Sequence, residues 1–201
     1  MRFSGHFMLL SVAVTLPGGL VAQDRPPIID MHMHANFVSL DADGVPLSLP
    51  CHPMPCPPSP PGQAKTAEEV LDLTLEAMDR LNIVLGFLSQ WPLDNVYRWV
   101  EAAPARFIAS ASLVDPDLID LADLRREYEA GRLGGLGEIG VQYAGIAADD
   151  PRLDPFYSLA EEFDVPVLIH HNGTAGPSAQ FRISLGHPEQ LEDVLIRHPR
   201  L

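Results

Sequence analysis

Ile28-Ile29-Asp30-Met31-His32-Met33-His34 reads as a short strand with a polar side chain at every second position. Successive side chains of an extended segment point to opposite faces. Strict alternation therefore puts Asp30, His32 and His34 on one face and Ile29, Met31 and Met33 on the other. Two adjacent imidazoles in fixed geometry suit a divalent metal, zinc or one of its neighbours, and Asp30 is placed to orient an imidazole from below. A pair of histidines on a solvated strand face would give the same pattern, so the decision rests with the rest of the chain.

Downstream, residues 35–64 lack periodicity and carry eight prolines between Pro46 and Pro61. A stretch of this length leaving the histidine strand is expected to form a lid or wall of a site, or else a solvated excursion stiffened by its prolines. It contains the chain's two cysteines, Cys51 and Cys56, in Cys-His-Pro-Met-Pro-Cys. In an oxidising compartment the pair is expected to close a small disulfide ring; a second metal site including His52 is the other reading.

From Thr66 the pattern turns helical. Thr66-Ala67-Glu68-Glu69 is a capping box, and Val70, Leu71, Leu73, Leu75, Met78 and Leu81 repeat near the helical period. Strands are expected at 83–88, 106–114, 136–143 and 165–170. Helices are expected at 94–102, 117–130 (closed by Gly131), 154–163 and 188–197. Apolar strands alternating with helices point to α/β architecture with a parallel sheet. A doubly wound open sheet and a TIM-type (β/α)8 barrel both fit.

Upstream, Arg2 precedes the apolar run from Phe7 to Leu16, followed by Pro17-Gly18-Gly19 and the small residue Ala22. This is the layout of a signal peptide over residues 1–22, which implies export to the periplasm or secretion. The apolar run is too short to span a bilayer, so no membrane attachment is expected after cleavage. The mature barrel portion is expected over 23–201. Thirteen basic against 27 acidic residues give a net charge of −14, which disfavours nucleic acid as a partner. A small-molecule substrate is the remaining expectation; homo-oligomerisation stays open.

In parallel α/β architectures the chemistry lies at the carboxyl ends of the strands. There the sequence offers His32 and His34 after the first strand, Asp115 after the third, Glu138 with Gln142 and Tyr143 on the fourth, and His170, His171 and Asn172 after the fifth. Four imidazoles and the Glu138 carboxylate are expected to meet on one rim. A carboxylate in a buried strand is costly unless paired or coordinated, and a bound cation compensates it. Gln142, Tyr143 and Asn172 are placed to touch substrate.

The segments IIDMHMHA (28–35), GEIGVQYAG (137–145), DPRLDPFYSLAEEFDVPVLIHHNG (150–173) and HPEQLEDVLIRHPRL (187–201) resemble the metal-dependent amidohydrolase superfamily. The branch resembled is that of amidohydrolase 2 type hydrolases and aminocarboxymuconate semialdehyde-type decarboxylases. The resemblance implies a (β/α)8 barrel, with His32, His34 and His170 as metal ligands. Glu138 matches a carboxylate position used in some branches. It further implies hydrolysis of a C–N or C–O bond of a small molecule through a metal-activated water, with zinc as the expected metal. A non-oxidative decarboxylase on the same scaffold and a non-catalytic metal-binding fragment are the alternatives. That family carries a further His after strand six and an Asp after strand eight. Neither residue is found in this sequence, so the chain is expected to hold about the first five βα units of a longer protein and to be inactive alone.

Overall fold

The computed structural model describes residues 26–35, 64, 66–173 and 178–201. The expected signal peptide, the Cys51–Cys56 pair and nearly all of the Pro-rich segment lie outside the described residues. Within them, β1 (Ile28–Met33), β2 (Ile83–Gln90), β3 (Phe107–Leu113), β4 (Gly135–Ile139) and β5 (Val167–Ile169) alternate with helices. The helices are α1 (Ala67–Leu81), α2 (Asp94–Ala102), α3 (Leu121–Glu129), α4 (Asp154–Phe163) and α5 (Gln190–Arg197). All four strand pairings are parallel, and the sheet order is β1-β2-β3-β4-β5.

That order decides between the two architectures. A doubly wound sheet reverses its strand order at a switch point. Here every crossover steps the same way, and right-handed crossovers stepping one way leave their helices on one face. The sheet is the curled half of a (β/α)8 barrel, helices outside.

Local chemistry accounts for the ends of the elements. Thr66 Oγ1 accepts from the Glu69 amide at 3.1 Å, as the capping box requires. Gly131 follows α3 with φ +67°, where a glycine has no Cβ to clash. Two expected boundaries move by four residues, the others by two or fewer. The fourth strand stops at Ile139 rather than Tyr143, because the chain turns at Gly140 into a 3-10 turn over Val141–Ala144, closed by Gly145 at φ +73°. The apolar Val141 imitates strand pattern but belongs to that turn. The helix expected from residue 117 begins at Leu121, capped by Asp120 on the Ala122 amide at 2.8 Å. Asp115 instead caps a 3-10 turn over Pro116–Leu118, its Oδ1 accepting from the Asp117 amide at 3.0 Å.

The core lies between sheet and helices. Leu88, Ala109, Ala111 and Leu136 on the outer face of the sheet meet Met78, Val96, Trp99, Leu124, Tyr128 and Leu159 from the helices. Burying each large apolar side chain there contributes about 1.5–3 kcal/mol. The opposite face is lined differently. Phe87 is buried but stands apart from that cluster, lying against Gly135, where an added Cβ would come within 2.1 Å of its ring. Tyr128 Oη donates to the Gly135 carbonyl at 2.7 Å, tying α3 to β4.

Register sets the phase of the site residues. β2 and β3 pair without interruption from Gly86–Phe107 to Gln90–Ala111. β1 does not: Asp30 pairs with Gly86 and Met33 with Leu88, so β1 spends one extra residue between them. β4 does the same, with Leu136 opposite Val167 and Ile139 opposite Ile169. Each extra residue is a bulge, which re-aims the side chains beyond it. Alternation from Leu136 would send Glu138 into the apolar outer face. After the bulge Ile139 takes that face, fully buried, and Glu138 turns inward. On β1 the same shift puts Asp30 and Met33 in one phase and His32 and His34 in the other, which corrects the expectation that Asp30 shares the histidines' face.

Candidate metal centre

His32 and His34 leave the end of β1 with ring centroids 4.8 Å apart and rings nearly perpendicular. Their Nε2 atoms face each other at 3.0 Å. Glu138 Oε2, from β4, lies 3.0 Å from His32 Nε2 and 3.4 Å from His34 Nε2. These three residues form a group of donor atoms able to hold a metal ion. Its other oxygen, Oε1, is hydrogen-bonded to His170 Nδ1 at the end of β5.

Hydrogen bonding fixes which lone pairs converge. His34 Nδ1 lies 2.7 Å from the Ser89 carbonyl oxygen. A carbonyl only accepts, so Nδ1 carries the proton and Nε2 presents its lone pair to the group. The Glu138 carboxylate likewise only accepts, which puts a proton on His170 Nδ1. Asp30 acts one step back: its Oδ1 accepts from the His32 backbone amide at 3.0 Å, capping the β1 bulge rather than an imidazole. On β4, Gly137 adopts φ +132°, and an added Cβ would stand 2.4 Å from the Leu168 carbonyl oxygen. Only glycine fits there, and it is the residue that lets Glu138 turn inward.

The donor set suits a cation. A neutral imidazole nitrogen and two anionic or neutral acceptors pointed at one spot repel unless a proton or an ion lies among them. Zinc bonds of 2.0–2.1 Å in tetrahedral geometry set donor atoms about 3.4 Å apart. The His34–Glu138 separation matches that spacing, and the two 3.0 Å separations need to open by a few tenths of an ångström. Glu138 is shielded, 13% exposed, while His32 and His34 are 45% and 38% exposed and reachable.

The remaining expected residues separate. His170 Nε2 is buried with no partner among the described residues, and the ring reaches the group through Glu138. His171 is not part of the donor group, and both its ring nitrogens are buried without a partner among the described residues. Gln142 is 2% exposed and its amide is engaged by backbone: Nε2 donates to the carbonyls of Asn172 at 2.9 Å and Arg182 at 3.1 Å, and Oε1 accepts from the Asn172 amide at 3.0 Å. It clasps the segments after β5 to the turn after β4. Asn172 takes part through its backbone. Tyr143 packs its ring against His170 at 4.8 Å between centroids. Burial first, and then the charge of Glu138, push its phenol above the usual range.

Two contributors escaped the sequence reading. Ser89 acts through its backbone carbonyl, and Phe181 backs Tyr143 at 5.8 Å. A backbone contact leaves no side-chain signature. Phe181, a lone aromatic between polar residues and 8% exposed, was the readable signal.

A half-barrel of parallel strands with a His-His-carboxylate group at their carboxyl ends defines an α/β barrel chain whose donor group could hold a metal ion. The amidohydrolase family model matches residues 29–201, and the chain belongs to that family, one of hydrolase and lyase enzymes. No curated protein matches it.

Proposed function

We propose that the protein is a metal-dependent hydrolase acting on a C–N or C–O bond of a small molecule. The observation that carries this reading is the convergence of His32 Nε2, His34 Nε2 and Glu138 Oε2 within 3.0–3.4 Å of one another. A divalent ion held by them, zinc by the chemistry of the donors, would supply a Lewis acid that polarises a carbonyl and acidifies a water. The chain's own residues do the orienting. The Ser89 carbonyl fixes the tautomer of His34, Asp30 fixes the backbone under His32, and His170 braces Glu138. The pattern of residues 1–22 supports an exported compartment, and the acidic balance counts against nucleic acid as the partner.

The test is metal content. The full chain is loaded with zinc, dialysed and assayed for bound metal beside a His32→Ala, His34→Ala double variant. The expected result is stoichiometric zinc in the parent and little in the variant; equal content sinks the reading. With metal uptake in hand, product analysis separates the two chemistries: carbon dioxide release without consumption of water would transfer the assignment to a decarboxylase.

A further inference from the structure

The protein has four tyrosines, and three of them spend their hydroxyl on the fold. Tyr97 Oη donates to Glu127, Tyr128 Oη to the Gly135 carbonyl at 2.7 Å, and Tyr157 Oη to the Ala148 carbonyl at 2.7 Å. Among the described residues, Tyr143 alone leaves its hydroxyl without a protein partner. Yet the ring is held in place. It packs against His170 at 4.8 Å and Phe181 at 5.8 Å between centroids. Its own carbonyl accepts from Ser178 Oγ at 2.6 Å, and its neighbour Gln142 is clasped to the Asn172 and Arg182 carbonyls. Gly140 makes room: a Cβ there would lie 3.1 Å from the Tyr143 ring. A half-buried phenol is ordinarily hydrogen-bonded. This one is fixed beside His170, the brace of the donor group, and its hydroxyl has no partner among the described residues.

We infer that the Tyr143 hydroxyl donates a hydrogen bond to an oxygen atom of the ligand held at the His32–His34–Glu138 group. The site then favours ligands that keep an oxygen lone pair free after binding, such as carbonyls, carboxylates and hydroxamates. Such a bond lies ready before the ligand arrives, because the ring is already positioned by its aromatic neighbours. This rests on the metal-site reading above, and the experiment separates the two.

The zinc-loaded 201-residue chain is titrated calorimetrically with acetohydroxamate, which chelates zinc and retains oxygen lone pairs, and with imidazole, whose single free lone pair is used on the metal. The parent is compared with Tyr143→Phe, which keeps the ring and removes only the donor. Zinc content is measured in each sample. The expected result is unchanged zinc, acetohydroxamate binding weakened about fivefold to tenfold, and imidazole binding unchanged. Equal acetohydroxamate affinity in both proteins overturns the inference, and so does an equal weakening of both probes, which would mean a merely structural ring. A parent chain that takes up no zinc fails the metal-site reading first and this inference with it. Should Tyr143→Phe fold poorly, Phe181→Leu loosens the ring while keeping the hydroxyl; a drop in acetohydroxamate affinity with imidazole unchanged supports the inference, and no drop opposes it.

Discussion

The β2–β3 ladder and the two strands that carry the metal ligands are built to different rules within one sheet. β2 and β3 pair without a slip over five successive residues, and their side chains go to packing: Leu88, Ala109 and Ala111 on the helix side, Phe87 on the other. β1 and β4 each spend one residue more than their neighbours just before the carboxyl end, and there His32 and Glu138 turn inward. A regular ladder maximises pairing but locks every side chain to a two-residue alternation. A bulge gives up a ladder position and gains a choice of face. The sheet keeps regularity where it needs rigidity and breaks it where it needs aim.

The sharpest way to break the β4 bulge is Gly137→Ala. The backbone there is at φ +132° and the new Cβ would meet the Leu168 carbonyl oxygen at 2.4 Å. The cost is about 3 kcal/mol or more, read as a drop in the urea midpoint. If the residual folded protein still binds zinc normally, the bulge is not what aims Glu138. The matching change in the regular strand is Leu88→Ala, fully buried in the core. It is expected to cost about 2–4 kcal/mol for lost contacts and the cavity left behind. Zinc affinity of the folded fraction should stay within about twofold of the parent, since no ligand is aimed by that residue. A large loss of affinity would erase the distinction between the two kinds of strand.

How far this was legible in the sequence follows the same line. The α/β alternation, the Thr66 cap and the Gly131 stop depend on local patterns that survive folding, and they read correctly. Strand order was open in the sequence, because a βαβ rhythm does not say which way each crossover steps. Once seen, the sequential order excludes the doubly wound sheet. His32, His34, Glu138 and His170 were read as one ligand set; the first three meet as a group, His170 reaches it only through Glu138, and the faces were not read. Counting by twos from Asp30 put it beside the histidines, and counting from Leu136 would have buried Glu138 among helices. The bulges invisible to that count still leave traces: an aspartate two residues before an amide it can cap, and a glycine immediately before the carboxylate. His171 lies outside the donor group, although it follows His170 directly in the sequence.

A milder test sharpens the β1 side. Asp30→Ala removes the acceptor of the His32 amide at 3.0 Å, leaving that amide to solvent. Stability should fall by only about 1 kcal/mol, since the bond is exposed. Zinc affinity should fall about tenfold, as for other partners that orient a ligand from behind. A stability loss without an affinity loss would make Asp30 an ordinary turn residue.

The smallest effect lies in the helix layer, where α4 meets the end of α5, and serves as the control for both ligand strands. Glu161 on α4 is held below the usual carboxyl range, first by the Arg200 backbone amide at 3.0 Å and then by His198 at 3.0 Å. Because the folded value is lowered, its contribution is whole above the unfolded carboxyl value near about 4.3 and is lost as the pH falls through the folded value. Glu161→Gln should therefore be less stable than the parent at pH 7, with the difference shrinking as urea midpoints are taken at successively lower pH below about 4. Zinc affinity at pH 7 should not change, because the α4–α5 contact it weakens lies on the helix side, while the ligands sit on the inner face. A gap that persists undiminished in acid would mean the glutamate acts by packing rather than by charge. A changed zinc affinity would mean that the helix layer, and not the bulged strands alone, sets the aim of the site.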